Sequence, residues 1–325
     1  MDIKWKIRDY LEPDRKNFVA WRNIIDKREI TDDFFNWQYF SNPFGPVDTW
    51  VTDDGEKIVG QYSLQRQEYF YYGKKIIGSL AFDLATHPEY RYQGMFTKLG
   101  YHSLKEAGKK DIAFTLGFPW VNGIAIPGHK KVGWTLLDKL YIYKLVDFNS
   151  IKQEEILDYT INEIQKFDQR FDSLASEHKD DLPIMLNRTN SYLNWRYLHK
   201  IGYFYYCLEI KDNRDKLKGF FILKIYNDLN EKILHIIDFI LPKNNEIYQK
   251  VINYVIKFAV EKNAKKITLI LNEKLKFFDF LKNNNFNPQE RYFIPIVHIN
   301  NNSVEKNKMN DLNNYYFTMG DNDIF

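Results

Sequence analysis

The sequence predicts an α/β protein built from two units in tandem, and three observations carry this. Alternating apolar runs and amphipathic runs take turns along the chain, so strands and helices are interleaved. Its 325 residues are many for one hydrophobic core. One set of local patterns also occurs twice. Asn36-Trp37-Gln38-Tyr39 returns as Asn194-Trp195-Arg196-Tyr197, and Phe82-Asp83-Leu84 through Pro88 returns as Ile237-Asp238-Phe239 through Pro242. Any one of these matches arises easily by chance. Together, in the same order and at nearly equal distances, they point to duplication.

In the first half, residues 5–10 alternate and read as a strand. Pro13 and Asp14 open a helix with Phe18, Trp21, Ile24 and Ile25 on one face. A second helix over 32–40 is stopped by Asn42-Pro43 and Gly45-Pro46. Strands are expected at 49–52, 57–67 and 68–76, with turns at Asp54-Gly55 and Tyr72-Gly73. A strand over 79–86 breaks at Pro88, passes Arg91 and Gly94, and runs into an amphipathic helix over 95–109. Residues 111–118 read as a strand, 122–131 as a short helix and 134–146 as a long strand. In the second half, strands over 202–211, 218–226, 233–241 and 265–271 answer the first set. A helical segment over 154–178 precedes them, 300–314 reads as a polar loop, and 315–319 as a last strand. The boundary is expected near 147–151, giving domains 1–148 and 149–325.

Composition narrows the function. Hydrophobic residues make up 44% and charged residues 27%, as in soluble globular proteins. The net charge of +3 and the scattered basic residues give no footprint for nucleic acid or membrane binding. No apolar run approaches the roughly 20 residues that span a bilayer. The first residues, Met1-Asp2-Ile3-Lys4-Trp5, have no signal-peptide character. The lone Cys207 can form no internal disulfide, so a reducing cytoplasm and a buried structural thiol are expected. No His, Cys, Asp and Glu pattern has zinc spacing, and no metal is expected.

The stretch from Gly78 to Phe96 is where chemistry is expected. A strand that passes through a loop into a helix prepares an anion site. The first N–H groups of the helix lack internal partners, and its dipole is positive there. Gly94 lets the backbone approach a ligand, and Arg91 adds a planar, permanently charged fork. Gly94 as ordinary turn punctuation is the alternative.

The stretch resembles the cofactor motif of the GCN5-related N-acetyltransferase (GNAT) superfamily, in which a strand and a Pro precede Arg/Gln-x-x-Gly-x-Gly/Ala. Arg91-Tyr92-Gln93-Gly94-Met95-Phe96 fills that pattern, except that Phe96 stands where a small residue is usual. A second motif follows in order: Asn122-x-x-Ala125, His129, then Gly133-Trp134, similar to the family's Asn-x-x-Ala-x-x-x-Tyr-x-x-x-Gly-Phe. The resemblance covers about the first 150 residues, and the rest only through internal repetition. It implies tandem acyl-CoA N-acyltransferase-like domains, each a mixed, mostly antiparallel sheet flanked by helices. It further implies acetyl-CoA as acyl-donor cosubstrate, held by Leu84, Ala85, Thr86, Arg91, Tyr92, Gln93, Gly94, Met95, Phe96 and Asn122. The second copy has Lys243-Asn244-Asn245-Glu246 after its Pro and no Arg-x-x-Gly, so it is expected to be degenerate.

Acetyl transfer from a thioester to a primary amine needs a neutral amine, a polarised carbonyl and a protonated leaving thiolate. An amine with a pKa of ~10 must lose a proton first. His129, at the position where the family often has Tyr, is the candidate acid; the alternative is a solvated helix residue beside Lys130 and Lys131. Asp83 is the candidate base. Its counterpart Asp238 in the degenerate copy makes a structural role the alternative. The expected acceptor is a small-molecule amine, attacking directly in a ternary complex. A Fem-type aminoacyl transferase and a non-catalytic CoA-binding scaffold are the rival readings.

Overall fold

The computed structural model of the protein describes residues 5–26, 29–148, 155–228 and 231–325. The chain begins with β1 (Lys6–Asp9), α1 (Arg15–Asp26), α2 (Asp32–Tyr39), β2 (Asp48–Asp53), β3 (Ile58–Tyr71) and β4 (Lys74–Thr86). It continues through α3 (Met95–Lys109), β5 (Phe114–Gly117), α4 (Ile126–Val132) and β6 (Thr135–Leu136). A second series follows: β7 (Leu140–Leu145), β8 (Tyr159–Glu163), α5 (Arg170–Glu177), β9 (Ile184–Leu186), α6 (Asn190–Leu193), β10 (Tyr206–Asp212), β11 (Leu217–Asp228) and β12 (Glu231–Ile240). Then come α7 (Asn245–Glu261), β13 (Lys266–Ile270), α8 (Lys276–Asn283), β14 (Asn287–Phe293), β15 (Ile296–Ile299), α9 (Lys306–Met309) and β16 (Tyr315–Tyr316).

Two compact units result, and the chain passes between them more than once. The first comprises the described residues up to Tyr69, with Lys75–Asp138 and Ile294–Asp311. The second comprises the described residues of Phe70–Lys74, Lys139–Phe293 and Leu312–Phe325. In the first sheet the strands run β1-β2-β3-β4-β5-β15-β6; in the second they run β14-β7-β13-β12-β11-β10-β8. Both are mostly antiparallel, with parallel pairs at β4–β5 and β12–β13.

Several expected elements are redrawn. The strand expected over 134–146 is cut at Leu137-Asp138-Lys139: β6 stays with the first sheet and β7 pairs with β13 and β14 in the second. β15, unforeseen in the sequence, returns to pair with both β5 and β6. The compact units are therefore not separated by one cut after residue 148, and the boundary expected at 147–151 falls largely outside the described residues. The three strands expected over 57–86 are two long ones joined at Tyr72-Gly73. Gly78 does not break the strand; it makes room for Phe114, whose ring would lie 2.8 Å from a Cβ there. The helical segment expected over 154–178 holds β8 before α5.

The first unit has a core on each face of its sheet, as the two-residue period of β2 requires. Trp50 joins Tyr62, Leu99, Leu104, Trp134 and Ile296 on the face covered by α3 and α4. Val51 joins Phe18, Trp21, Phe35, Tyr39 and Phe82 on the face covered by α1 and α2. α2 starts where Thr31 caps it by accepting from the Phe34 N–H, and it buries Phe35, Trp37 and Tyr39. Trp37 and its repeat partner Trp195 are both core residues.

Candidate functional site

The candidate site lies in the first unit, where β4 and β5 part. Ser79 pairs with Thr115 and Leu80 with Leu116. β5 ends one residue later at Gly117, while β4 runs on to Thr86. At the end of β4, the His87 N–H donates to the Val59 carbonyl of β3 at 2.8 Å. With a period of two, the N–H groups of Thr86 and Leu84 face the other edge, which β5 has left. A short turn over Pro88–Tyr90 leads to Arg91, Tyr92 and Gln93, all exposed. Tyr92 has a φ of 63° and Gly94 one of 75°, so the chain doubles sharply before α3.

Gly94 is the N-cap of α3 and, lacking a side chain, bonds none of its first N–H groups. There is no acidic residue in that first turn, and nothing lies within 4 Å of where a Cβ on Gly94 would sit. A 15-residue helix thus presents its positive end without a competing cap. The Arg91 side chain stands beside it, its Nε 3.4 Å from the Thr86 carbonyl. The matching helix of the second unit differs at the same point. The Asn244 side chain caps α7 by accepting from the Glu246 and Ile247 N–H groups, and Glu246 puts a carboxylate in the first turn. One helix end is open and the other is filled by its own chain.

Met95 and Phe96 direct only their main-chain N–H groups toward that end. The Met95 side chain is buried, its sulfur accepting from Thr52 Oγ1 at 3.1 Å. Phe96 points inward, edge-on to His129 at 5.2 Å and 6.1 Å from the Tyr62 ring. Its ring occupies the space that a side chain on Gly128 would need. Leu84 packs against the cluster under α3 and α4, and Ala85 against the one under α1 and α2. Thr86 carries a buried hydroxyl with no partner among the described residues. Asn122 lies outside the helix expected over 122–131. It is exposed in the turn before α4, whose start is set by Pro127 in its first turn.

Two of the residues expected to carry protons have other surroundings. His129 is only 5% exposed, lies between Phe96 and Trp134, and has no partner at Nδ1 among the described residues. Burial pushes its pKa down to about 4, so at neutral pH it is uncharged and holds no imidazolium proton to give. Asp83 is tied up: its Oδ1 pairs with Arg22 Nη2 at 2.9 Å and its Oδ2 accepts from Tyr39 Oη at 2.9 Å. A carboxylate engaged by a buried guanidinium is a poor proton acceptor. Sequence reasoning missed Arg22 and Gly128. Tyr39 was visible as the last residue of the repeated Asn-Trp-x-Tyr pattern.

The second unit repeats this arrangement. Asp238 accepts from Arg188 Nε at 2.8 Å and from Tyr197 Oη at 2.8 Å, and Tyr197 is the counterpart of Tyr39. Beside it, the β11–β12 register shifts between Ile222 and Leu223. Cys207 is buried there, with its thiol pushed up to about 12 by burial, as befits a structural residue. Among the described residues, no group of three or more His, Cys, Asp or Glu side chains could hold a metal. No helix among them is long and apolar enough to cross a membrane.

Comparison with known proteins agrees with this fold. Residues 26–137 match the family model described as an acetyltransferase (GNAT) domain. No curated protein sequence matches the chain. Among solved structures, a GCN5-related N-acetyltransferase from Anabaena variabilis is similar over 91% of this chain and 73% of its own, with a TM-score of 0.73 at 16% identity. A tandem GNAT protein from the clavulanic acid biosynthesis pathway is similar over 92% of this chain and 100% of its own, with a TM-score of 0.61 at 11% identity. The N-myristoyltransferase of Saccharomyces cerevisiae, solved with bound myristoyl-CoA, is similar over 96% of this chain and 88% of its own, with a TM-score of 0.62 at 12% identity. Residues 26–137 thus match a GNAT domain, and the chain shares the fold of a tandem GNAT protein.

Proposed function

We propose that the protein is an acyl-CoA-dependent N-acyltransferase, most simply an acetyltransferase acting on a primary amine of a small molecule. The open N-terminus of α3 beside Arg91 carries this reading, set against the self-capped α7. The pyrophosphate of the donor would lie on the N–H groups that follow Gly94, and the thioester along the edge of β4 that β5 leaves. The amine nitrogen attacks the carbonyl carbon, a C–N bond forms and the C–S bond breaks. The amine gives up a proton and the departing thiolate takes one. His129 and Asp83 are not assigned these proton transfers, because one is neutral and buried and the other is paired.

A short acyl group fits this interior better than a long one. Trp134 donates to Tyr62 Oη at 3.2 Å, and both side chains are buried in the cluster where β4 and β5 part. Beside Gly117, Ile296 and the Trp134 ring lie 3.1 and 3.8 Å from where a Cβ would be. The myristoyl-CoA bound by the yeast neighbour is the longer-chain alternative.

Calorimetry with acetyl-CoA tests the reading, on wild type, Gly94→Trp and Arg91→Glu. Gly94 has open space around it but a left-handed backbone, so Gly94→Trp carries a strain of roughly 1–2 kcal/mol. Arg91→Glu reverses the charge with no such cost. Wild-type binding lost in both variants is the expected result. Folded wild type that binds neither acetyl-CoA nor a longer acyl-CoA would turn the assignment toward an aminoacyl transferase or a scaffold.

A further inference from the structure

Asp83 occupies a left-handed position in the middle of a strand, with a φ of 52°. Such a conformation is costly for a residue other than glycine and persists only when its surroundings enforce it. Here they do. Arg22 reaches Asp83 twice, through Nη2 to Oδ1 at 2.9 Å and through Nη1 to the main-chain carbonyl at 3.4 Å. Tyr39 Oη donates to Oδ2 at 2.9 Å and accepts from Gln61 Nε2 at 2.7 Å. Gln61 also donates to Ser63 Oγ at 2.7 Å, and Ser63 bonds Thr49 Oγ1 at 3.0 Å. The bend in β4 is thereby tied to α1, α2, β2 and β3. Arg22, Gln61 and Tyr39 are all buried, so water does not compete for these bonds.

The residue after the bend is Leu84, whose N–H faces the edge left open by β5. We propose that Asp83, with Arg22 and Tyr39, is a positioning residue that fixes this bend so that the Leu84 N–H points at the donor's thioester oxygen. The role of Asp83 is then geometric, and it takes no proton. The counterpart shows what is particular to the first unit. Asp238 is held by Arg188 and Tyr197 at the same point of the second sheet, but its backbone is not left-handed, and the helix end beside it is filled by Asn244. The left-handed bend therefore goes with the open helix end, and in the first unit the bent backbone serves the carbonyl. A main-chain donor aimed at a developing oxyanion needs such rigid support to be effective.

The inference rests on acyl-CoA being the donor, and the experiment separates the two claims. Acetyl-CoA labelled with heavy carbon at the carbonyl is bound to the full chain, and the thioester C=O band is read by isotope-edited infrared spectroscopy. Free coenzyme A is titrated in parallel. In wild type the band should shift to lower frequency than in solution. Asp83→Asn should return it toward the solution value while the affinity for free coenzyme A stays as in wild type. Asparagine tolerates the left-handed backbone, so the bend itself is not forbidden. Should Asp83→Asn fail to fold, Tyr39→Phe removes one bond from the same carboxylate and should move the band part of the way. A wild-type band in the folded variants would overturn the clamp and leave the donor assignment standing. Wild type that binds no coenzyme A would overturn the donor assignment and the clamp with it.

Discussion

The ring of Phe96 fills the place of a missing side chain at Gly128: a Cβ there would lie 2.9 Å from two of its carbons. The two residues meet where α3 and α4 touch. A large residue at a position that is usually small in the motif is thus matched by a glycine on the facing helix. Gly128→Ala should destabilise the protein by about 1–3 kcal/mol through overpacking. Phe96→Ala should cost about 2–4 kcal/mol by leaving a cavity, and the double variant less than the sum. Equilibrium urea denaturation of the four proteins measures the coupling. Additivity within about 0.5 kcal/mol would show that the two sites are independent.

The difference between the helix ends predicts opposite outcomes for two substitutions. Asn244→Ala removes the cap of α7 and should lower stability by about 1 kcal/mol, with acetyl-CoA binding unchanged. Arg91→Ala should leave stability unchanged, because its side chain is exposed and makes one weak bond. It should weaken acetyl-CoA about tenfold, the scale of one charge-assisted hydrogen bond. Calorimetry and thermal melts distinguish the cases. Donor affinity that follows Asn244 rather than Arg91 would move the donor site to the second unit.

The buried His129 makes stability depend on pH. Its folded pKa of about 4 lies below the ordinary value of 6.5, so the unfolded chain takes up its proton first. Stability is therefore full above about 6.5 and declines as pH falls toward 4, by at most about 3 kcal/mol. His129→Phe removes this dependence and leaves the cluster with Phe96 and Trp134 apolar. Urea denaturation between pH 4 and 7 should show a shallower acid decline in the variant. Equal slopes would mean that the imidazole is hydrated in the folded protein.

Arg188 is fully buried between two carboxylates, at 2.8 Å from Asp238 and 2.8 Å from Asp321. Burial raises the pKa of Asp321, and the guanidinium opposes that rise. Replacing the arginine leaves two buried acids without their counter-charge, so Arg188→Met should cost about 3–5 kcal/mol. Adding Asp238→Asn and Asp321→Asn should restore part of it, read from urea midpoints. No recovery would show that the cost lies in packing against Tyr316, over whose ring the guanidinium lies at 5.2 Å.

The strand-turn-helix at residues 79–109 was legible because each step has a local cause: alternation in the strand, Pro88 as a break, Gly94 at a left-handed turn, and an apolar stripe in the helix. The tandem repeat was legible because Tyr39 with Asp83, and Tyr197 with Asp238, are paired in space as well as in pattern. What stayed hidden depends on distant partners. Nothing near Asp83 in the sequence announces Arg22, which meets it from α1. His129 beside Lys130 and Lys131 reads as an accessible acid or a solvated helix residue, yet the helix turns it inward while both lysines stay exposed. β15 was missed because 296–299 is only four residues long, and its strand character comes from the two neighbours it joins.

The late arrival of β15 bears on how the polypeptide is made. Until residues near 300 leave the ribosome, the nascent first half has β5 with a bare edge and β6 with nothing to join. Its amino-terminal portion therefore cannot mature first, as domains of a growing chain ordinarily do. The first unit is completed only after most of the second has been synthesised. A transcript truncated near codon 148 would release a polypeptide with an unpaired strand edge, a template for self-association.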